Sequence, residues 1–325
     1  MVNYIGSKKK LSKKLIQKIL EECEGEIPNF AEGFAGTGAL SKLLPESDLI
    51  FNDIENYSVS LLKGYYSPIP ENLDEKLDEL NSLPGVEGLI FKNYSPDAER
   101  MFFTEENAKK IDAIRLAIKN YPKQERRYFL ACLLEATDKV ANVASVYGAF
   151  LKKWKRSALE ILKMVALPII TRDEDRQVTI YNRDVKDFVK ELPYDSILYL
   201  DPPYNSRHYG ANYFVLNVIA EYPDEMEFEA KGKTGIPASG YFKSDFCQKN
   251  NVEKALLEVL SRSKSKFCFL SYNNEGLLSK NQILSIFERS DFQNIKCFEF
   301  EYKKFKSNRN ADSEMLIEYL FVGRK

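Results

Sequence analysis

Histidine is almost missing from this chain: His208 is the only one in 325 residues. A mechanism built on several histidine ligands, or on a Ser-His-Asp triad away from residue 208, is excluded by composition. The five cysteines, Cys23, Cys132, Cys247, Cys268 and Cys297, form no CxxC pair. That argues against a zinc site or a disulfide framework. No run approaches 18 apolar residues, so no membrane span is expected. The opening MVNYIGSKKK has no apolar signal core. Net charge is also nearly absent, at −1 from 47 basic and 48 acidic side chains, so any basic surface must be local. What is abundant is core material. Hydrophobic residues make up 44% and aromatics 13%, which fits a folded rather than a disordered chain. The expectation is a reduced, cytoplasmic protein without a metal.

The pattern along the chain is interrupted. Lys8 to Ile19 carries Leu11, Leu15, Ile16 and Ile19 at helical spacing. NFAEGFAGTGALSKLL then reads as a strand, a glycine loop and a helix start, and LIFND as a second strand ending in an acid. These are the first units of a β-α-β fold. Residues 66–170 change character, with helical periodicity in NLDEKLDEL, EENAKKIDAIRLAIKNY and ERRYFLACLLEATDKVANV. LKKWKRSALEIL is a further helix or a basic loop. Strand-like runs return in VTIYNRD, ILYLDPPY, KFCFLSYNN, KCFEFEYKKF and EMLIEYLFVGRK. The expected architecture is a Rossmann-like α/β domain from residues 1–65 and 171–325, interrupted by a mostly helical domain at 66–170.

Two motifs carry chemistry. In FAGTG, glycines allow close backbone approach to a ligand. The spacing fits neither a Walker loop nor a full GxGxxG fingerprint. Asp53, one strand later, suits a ribose-hydroxyl acceptor. Together they suggest an adenosine-containing cofactor, although each alone is common. The sharper signal is Asp201-Pro202-Pro203-Tyr204 at the end of an apolar strand. A proline turn after a core strand is the plain alternative. The chemical reading is that Asp201 and a neighbouring backbone carbonyl accept both hydrogens of an exocyclic amine, while Tyr204 stacks on its ring. Such an amine shares its lone pair with the ring, so attack on a methyl sulfonium needs acceptors that localise electron density on nitrogen.

In NYIGSKKKL, FAEGFAGTG, FND and YLDPPY, with NRD and LSYNN as weaker echoes, the sequence resembles the Dam-like class of adenine-N6 DNA methyltransferases, in the motif order of the alpha group. The resemblance implies S-adenosylmethionine as methyl donor and adenine in double-stranded DNA as target. It implies that Tyr4 and Lys8, then Glu32, Phe34, Ala35, Gly36 and Gly38, contact the cofactor. Asp53 and Asp184 match acids on its ribose and adenine side, with Asp187 as a rival to Asp184. Asp201, Pro202 and Tyr204 match the catalytic motif, Asp201 also bordering the cofactor. The 66–170 segment falls where this class carries its target-recognition domain. A cognate restriction endonuclease acting on the same site is the expected partner, and a monomer or weak dimer the expected state.

Three basic clusters could meet phosphates: Lys8–Lys14, Lys152–Arg156 and Lys303–Arg309. A solvated face is an even alternative for each. The second is favoured because the only tryptophan, Trp154, interrupts it inside the insertion. Arg207, His208 and Tyr209 follow the catalytic motif and could touch the base or its strand, whereas Tyr213 and Phe214 suit core packing. An RNA amino-methyltransferase, an N4-cytosine enzyme and a DNA-binding protein with an inactive site are the alternatives to weigh.

Overall fold

The computed structural model describes residues 6, 8, 11–44, 46–170, 175–303 and 315–325, with backbone alone at 302, 303 and 315. Its elements in chain order are α1 (Ser12–Glu22), β1 (Asn29–Glu32), β2 (Asp48–Asn52), α2 (Asn56–Tyr65), α3 (Leu73–Ser82), α4 (Leu89–Tyr94), α5 (Glu105–Ile118) and α6 (Lys123–Val140). They continue as β3 (Val178–Tyr181), α7 (Val185–Phe188), β4 (Ser196–Leu200), α8 (Tyr209–Glu221), β5 (Ala230–Lys231), β6 (Ile236–Pro237), α9 (Val252–Arg262), β7 (Phe267–Asn273), α10 (Lys280–Glu288), β8 (Gln293–Lys303) and β9 (Met315–Arg324).

The chain forms two compact units. The first to describe is Ser7–Ile54, Thr171–His208 and Lys243–Lys325. It holds a seven-stranded sheet in the order β3-β2-β1-β4-β7-β9-β8. Strands β3, β2, β1, β4 and β7 run parallel, and β9 runs antiparallel between β7 and β8. The α/β reading of the sequence holds here. Every residue of β4 is buried, as a central parallel strand requires, which is why SILYL is continuously apolar apart from its first residue. Val185 and Phe188 of α7, Leu256, Val259 and Leu260 of α9, and Ile283, Ile286 and Phe287 of α10 join Leu198, Leu200, Cys268, Leu270 and Phe321 of the sheet in one core.

Chain order reverses direction between β1 and β4. From β1 the chain builds outward through β2 to β3; β4 then starts on the other side and leads to β7. In open α/β sheets the ligand crevice lies outside the carboxyl ends of the strands at such a switch. Glu32 is the last residue of β1, and Asp201 follows the last residue of β4.

One local expectation is corrected. After the glycine loop the chain forms only a 3-10 turn, Ser41–Leu43, where a helix start was read. Leu44 has φ −118° and ψ 73°. It precedes Pro45, and a proline disfavours helical backbone at the residue before it.

The second unit, Glu55–Ile170 with Tyr209–Phe242, contains α2–α6, α8 and the β5–β6 hairpin. It is broader than residues 66–170. Tyr57 of α2 is fully buried and stacks on Tyr213 of α8 at 5.0 Å. Its backbone N–H donates to Asn217 at 3.0 Å, so α2 and α8 fold with the helices between them. Tyr213 and Phe214 are buried, the packing role read for them. LKKWKRSALEIL takes the loop alternative, with one 3-10 turn at Arg156–Leu159. Asn142 fixes that loop: its Oδ1 accepts from Lys155 N at 3.0 Å, and its Nδ2 donates to Leu151 O at 3.0 Å.

Candidate active site

The glycine loop is shaped by its backbone and latched by an acid. Gly36 and Gly38 have φ of +53° and +63°, the left-handed region that side chains resist. Gly33 N donates to Tyr199 O at 2.9 Å, and Ala35 N to Asn52 O at 2.9 Å. Gly36 N donates to Asp53 Oδ2 at 2.7 Å, and Asp53 is buried. Asp53 therefore positions the loop directly, whatever else its carboxylate meets. Its neighbour Asn52, the middle residue of FND, was given no role in the sequence. Asn52 Nδ2 donates to Gly33 O and Arg183 O, each at 3.1 Å, and its Oδ1 accepts from Arg183 N at 3.1 Å. One side chain thus ties together the ends of β1, β2 and β3. A paired Asn-Asp at the end of an apolar strand was the available signal.

Glu32 is buried and turned toward the end of the loop. Its Oε1 accepts from Ser41 N at 3.0 Å and from the Ser41 hydroxyl. Burial pushes its carboxyl up to about 7, against the pull of those Ser41 hydrogen bonds. Phe34 packs edge-on against Phe246, ring centroids 5.0 Å apart. Asp184 caps α7 by accepting from Lys186 N at 2.9 Å. Its rival Asp187 is exposed and pairs with Lys190 at 2.6 Å. Tyr4 lies outside the described residues, as do Lys9, Lys10 and the 304–309 part of the last basic cluster.

Beyond β4 the DPPY segment forms a compact charged cluster. Pro202 is buried. Lys8 Nζ lies 2.9 Å from Asp201 Oδ1 and 3.2 Å from Glu318 Oε1, and it also meets the Tyr204 hydroxyl. That hydroxyl bonds to Asp201 Oδ1 and lies 3.2 Å from Glu318 Oε1. The Tyr204 ring packs against Tyr272 with centroids 5.1 Å apart. Burial works against the Lys8 charge, but attraction to Asp201 and Glu318 outweighs it and holds the ammonium above the ordinary lysine range. Burial, reinforced by the Asp201 and Glu318 charges, raises the Tyr204 phenol well above its ordinary value. Tyr204 therefore stays neutral and able to donate.

Glu318 was missed in the sequence. Because β9 is antiparallel, its early residues lie at the carboxyl edge of the parallel strands, with Glu318 opposite Asn273 of β7. The signal was a lone acid inside the strand-like run MLIEYLFV. Downstream, His208 is half-buried and accepts from Ser244 N at 3.2 Å, while Arg207 is exposed. No described helix is long and apolar enough to cross a membrane.

The arrangement has the parts for amine chemistry: a carboxylate in a proline-stiffened segment, an aromatic ring beside it, and a glycine loop with positive φ at the neighbouring strand end. Comparison with known proteins agrees. The family described as D12 class N6 adenine-specific DNA methyltransferase matches residues 4–286. Type II methyltransferase M.NlaIII of Neisseria lactamica is 41% identical, the match covering 100% of this chain and 99% of the relative. Type II methyltransferase M.CviAII of Paramecium bursaria Chlorella virus 1 is 36% identical over 98% and 97%. Type II methyltransferase M.FokI of Planomicrobium okeanokoites is 32% identical, and there the chain matches 53% of a longer relative.

Proposed function

This chain belongs to the D12 class of N6 adenine-specific DNA methyltransferases, and we propose that Asp201 and Tyr204 form its transfer site beside a cofactor held by the glycine loop. It is a DNA adenine methyltransferase of the restriction-modification kind, as its full-length similarity to type II enzymes supports. The observation that carries the site reading is the clustering of Lys8, Asp201 and Tyr204 at the carboxyl end of β4, next to the sheet's switch point.

The glycine loop fits an adenosine-containing donor. Gly36 and Gly38 take positive φ, a backbone shape that side chains resist, and the buried acids Glu32 and Asp53 fix the loop from both ends. S-adenosylmethionine, when bound, supplies an electrophilic methyl group on a sulfonium. Phe34, Ala35, Gly36 and Gly38 would border it, with Asp53 and Asp184 on its ribose and adenine side and Lys8, Tyr4 and Glu32 completing the surround. Asp201 then accepts a hydrogen of the adenine amine, as does a backbone carbonyl of the DPPY segment. The amine nitrogen would bond the methyl carbon as that carbon's bond to sulfur breaks, the electron pair leaving with a neutral thioether, and would then lose one proton to solvent, with Asp201 stabilising the positive charge in between. Tyr204 offers its ring to the extruded base. An adenine amine inside a duplex is shielded by pairing and stacking, so the base must leave the helix.

Residues 66–170, within the broader helical unit, serve as the target-recognition region in this reading. Lys152, Lys153 and Arg156 are exposed on its loop and suit phosphate contacts. A cognate endonuclease with the same site is the expected partner, and the cytoplasm the expected location. Labelled methyl transfer measured side by side on duplex DNA and on RNA tests the substrate. Preferential labelling of RNA would overturn it.

A further inference from the structure

Glu318 is the only acid on β9, and it is fully buried. Its Oε1 lies 3.2 Å from Lys8 Nζ and 3.2 Å from the Tyr204 hydroxyl. Asp201 Oδ1 meets the same two groups. Two carboxylates thus share one ammonium and one phenol. The second oxygen, Glu318 Oε2, is buried with no hydrogen-bond partner among the described residues. A half-satisfied buried carboxylate is costly. Strand pairing does not call for one, since Glu318 sits between Asn273 and Phe300 by backbone register alone. The family match ends at residue 286, so it does not reach Glu318.

We propose that Glu318 is a positioning residue of the transfer site that acts through Lys8. Its charge draws the Lys8 ammonium off Asp201, so that Asp201 keeps its acceptor strength toward the target amine. With Glu318 neutral, Lys8 pairs with Asp201 alone and that strength falls. The proposal rests on the reading of Asp201 as the amine acceptor.

The groups that face Glu318 are Lys8 ahead of α1, Asp201 and Tyr204 after β4, and, further off, Tyr199 of β4, while Glu32 of β1 acts on Asp201 and Tyr199. Glu299 and Glu301 of β8 pair in register with its neighbours Tyr319 and Ile317. Burial raises the Glu318 carboxyl to about 7, Lys8 opposing and Asp201 adding to the rise. Its charge is therefore gained as pH climbs through about 7, and the transfer rate is expected to climb with it.

The test is single-turnover methyl transfer by Glu318→Gln, an isostere whose oxygen still accepts from Lys8 and Tyr204. The rate should fall by about tenfold above pH 8, and the rising limb should flatten. Affinity for S-adenosylmethionine should stay within about twofold. Glu32→Gln, measured alongside, should keep the limb, which separates the two acids that titrate near the same pH. In a double-mutant cycle, Lys8→Met with Glu318→Gln should be no slower than Lys8→Met alone, because the second change acts through the first. A wild-type rate and profile in Glu318→Gln, or additive losses in the cycle, would overturn the proposal. If Glu318→Gln does not fold, Glu318→Asp decides: a reduced rate with the limb retained supports it, and an unaltered rate overturns it. Asp201→Ala run in parallel keeps the two readings apart. Undiminished transfer there sinks the site assignment itself, whereas loss there with normal Glu318→Gln sinks only the role of Glu318.

Discussion

Gly36 gives its backbone N–H to Asp53 Oδ2 at 2.7 Å, a hydrogen bond that spans two adjacent strand ends and sets the curvature of the glycine loop. The sequence marks both residues as cofactor neighbours. The bond adds that Asp53 also builds the loop. Asp53→Ala should therefore weaken S-adenosylmethionine binding by more than the removal of one ligand hydrogen bond would, since the loop also loses the buried bond that holds Gly36. Gly36→Val should weaken it too, because φ of +53° is strained for a branched side chain. Calorimetry checks both, and unchanged affinity in folded variants would contradict the cofactor-loop assignment.

Glu32 predicts a pH effect on stability. Its folded carboxyl sits near 7, above the ordinary value of 4.5, because burial disfavours the charge. A carboxylate raised on folding binds more protons folded than unfolded between those values, so stability falls as pH rises from about 4.5 to about 7. Glu32→Gln keeps an acceptor for Ser41 and cannot ionise. Its melting temperature relative to wild type should therefore rise with pH over that window, by the equivalent of about 1–3 kcal/mol at pH 8. A difference that stays flat with pH would contradict the buried-acid account.

The basic loop of the helical unit predicts a salt effect. Lys152, Lys153 and Arg156 are exposed, while Lys155 donates its Nζ to Val143 O at 3.2 Å and helps hold the loop. Replacing the three exposed residues by alanine should weaken DNA binding. It should also flatten log affinity against log salt by roughly 0.9 for each phosphate no longer neutralised. S-adenosylmethionine affinity should not move. An unchanged slope would make this loop an ordinary solvated face.

Much of the fold was legible because parallel strands buried on both faces leave continuous apolar runs, as in LIF and ILYL. The site was legible where chemistry demands unusual neighbours, as in Asp201 before two prolines. What was hidden came from tertiary pairing. Nothing in the spacing of residues 8, 201 and 318 announces that they share one charge cluster, because antiparallel β9 alone carries Glu318 to that edge. The helical unit extends to Glu55 and Tyr209–Phe242 because α2 and α8 bury Tyr57 and Tyr213 against each other, a pairing that periodicity does not encode. The glycine loop leads to a 3-10 turn because Pro45 limits Leu44, a short-range signal masked in the sequence by the apolar spacing of Leu40, Leu43 and Leu44.

The central claim is that Asp201 promotes methyl transfer to the adenine amine of duplex DNA, and single-turnover transfer of a labelled methyl group by Asp201→Ala tests it most directly. The account predicts that wild type deposits the label as N6-methyladenine. The variant should still bind S-adenosylmethionine and DNA yet transfer about 100-fold to 1,000-fold more slowly, in line with removal of one positioned group at a reacting centre. Transfer by Asp201→Ala at the wild-type rate, or label recovered on cytosine in wild type, would contradict it.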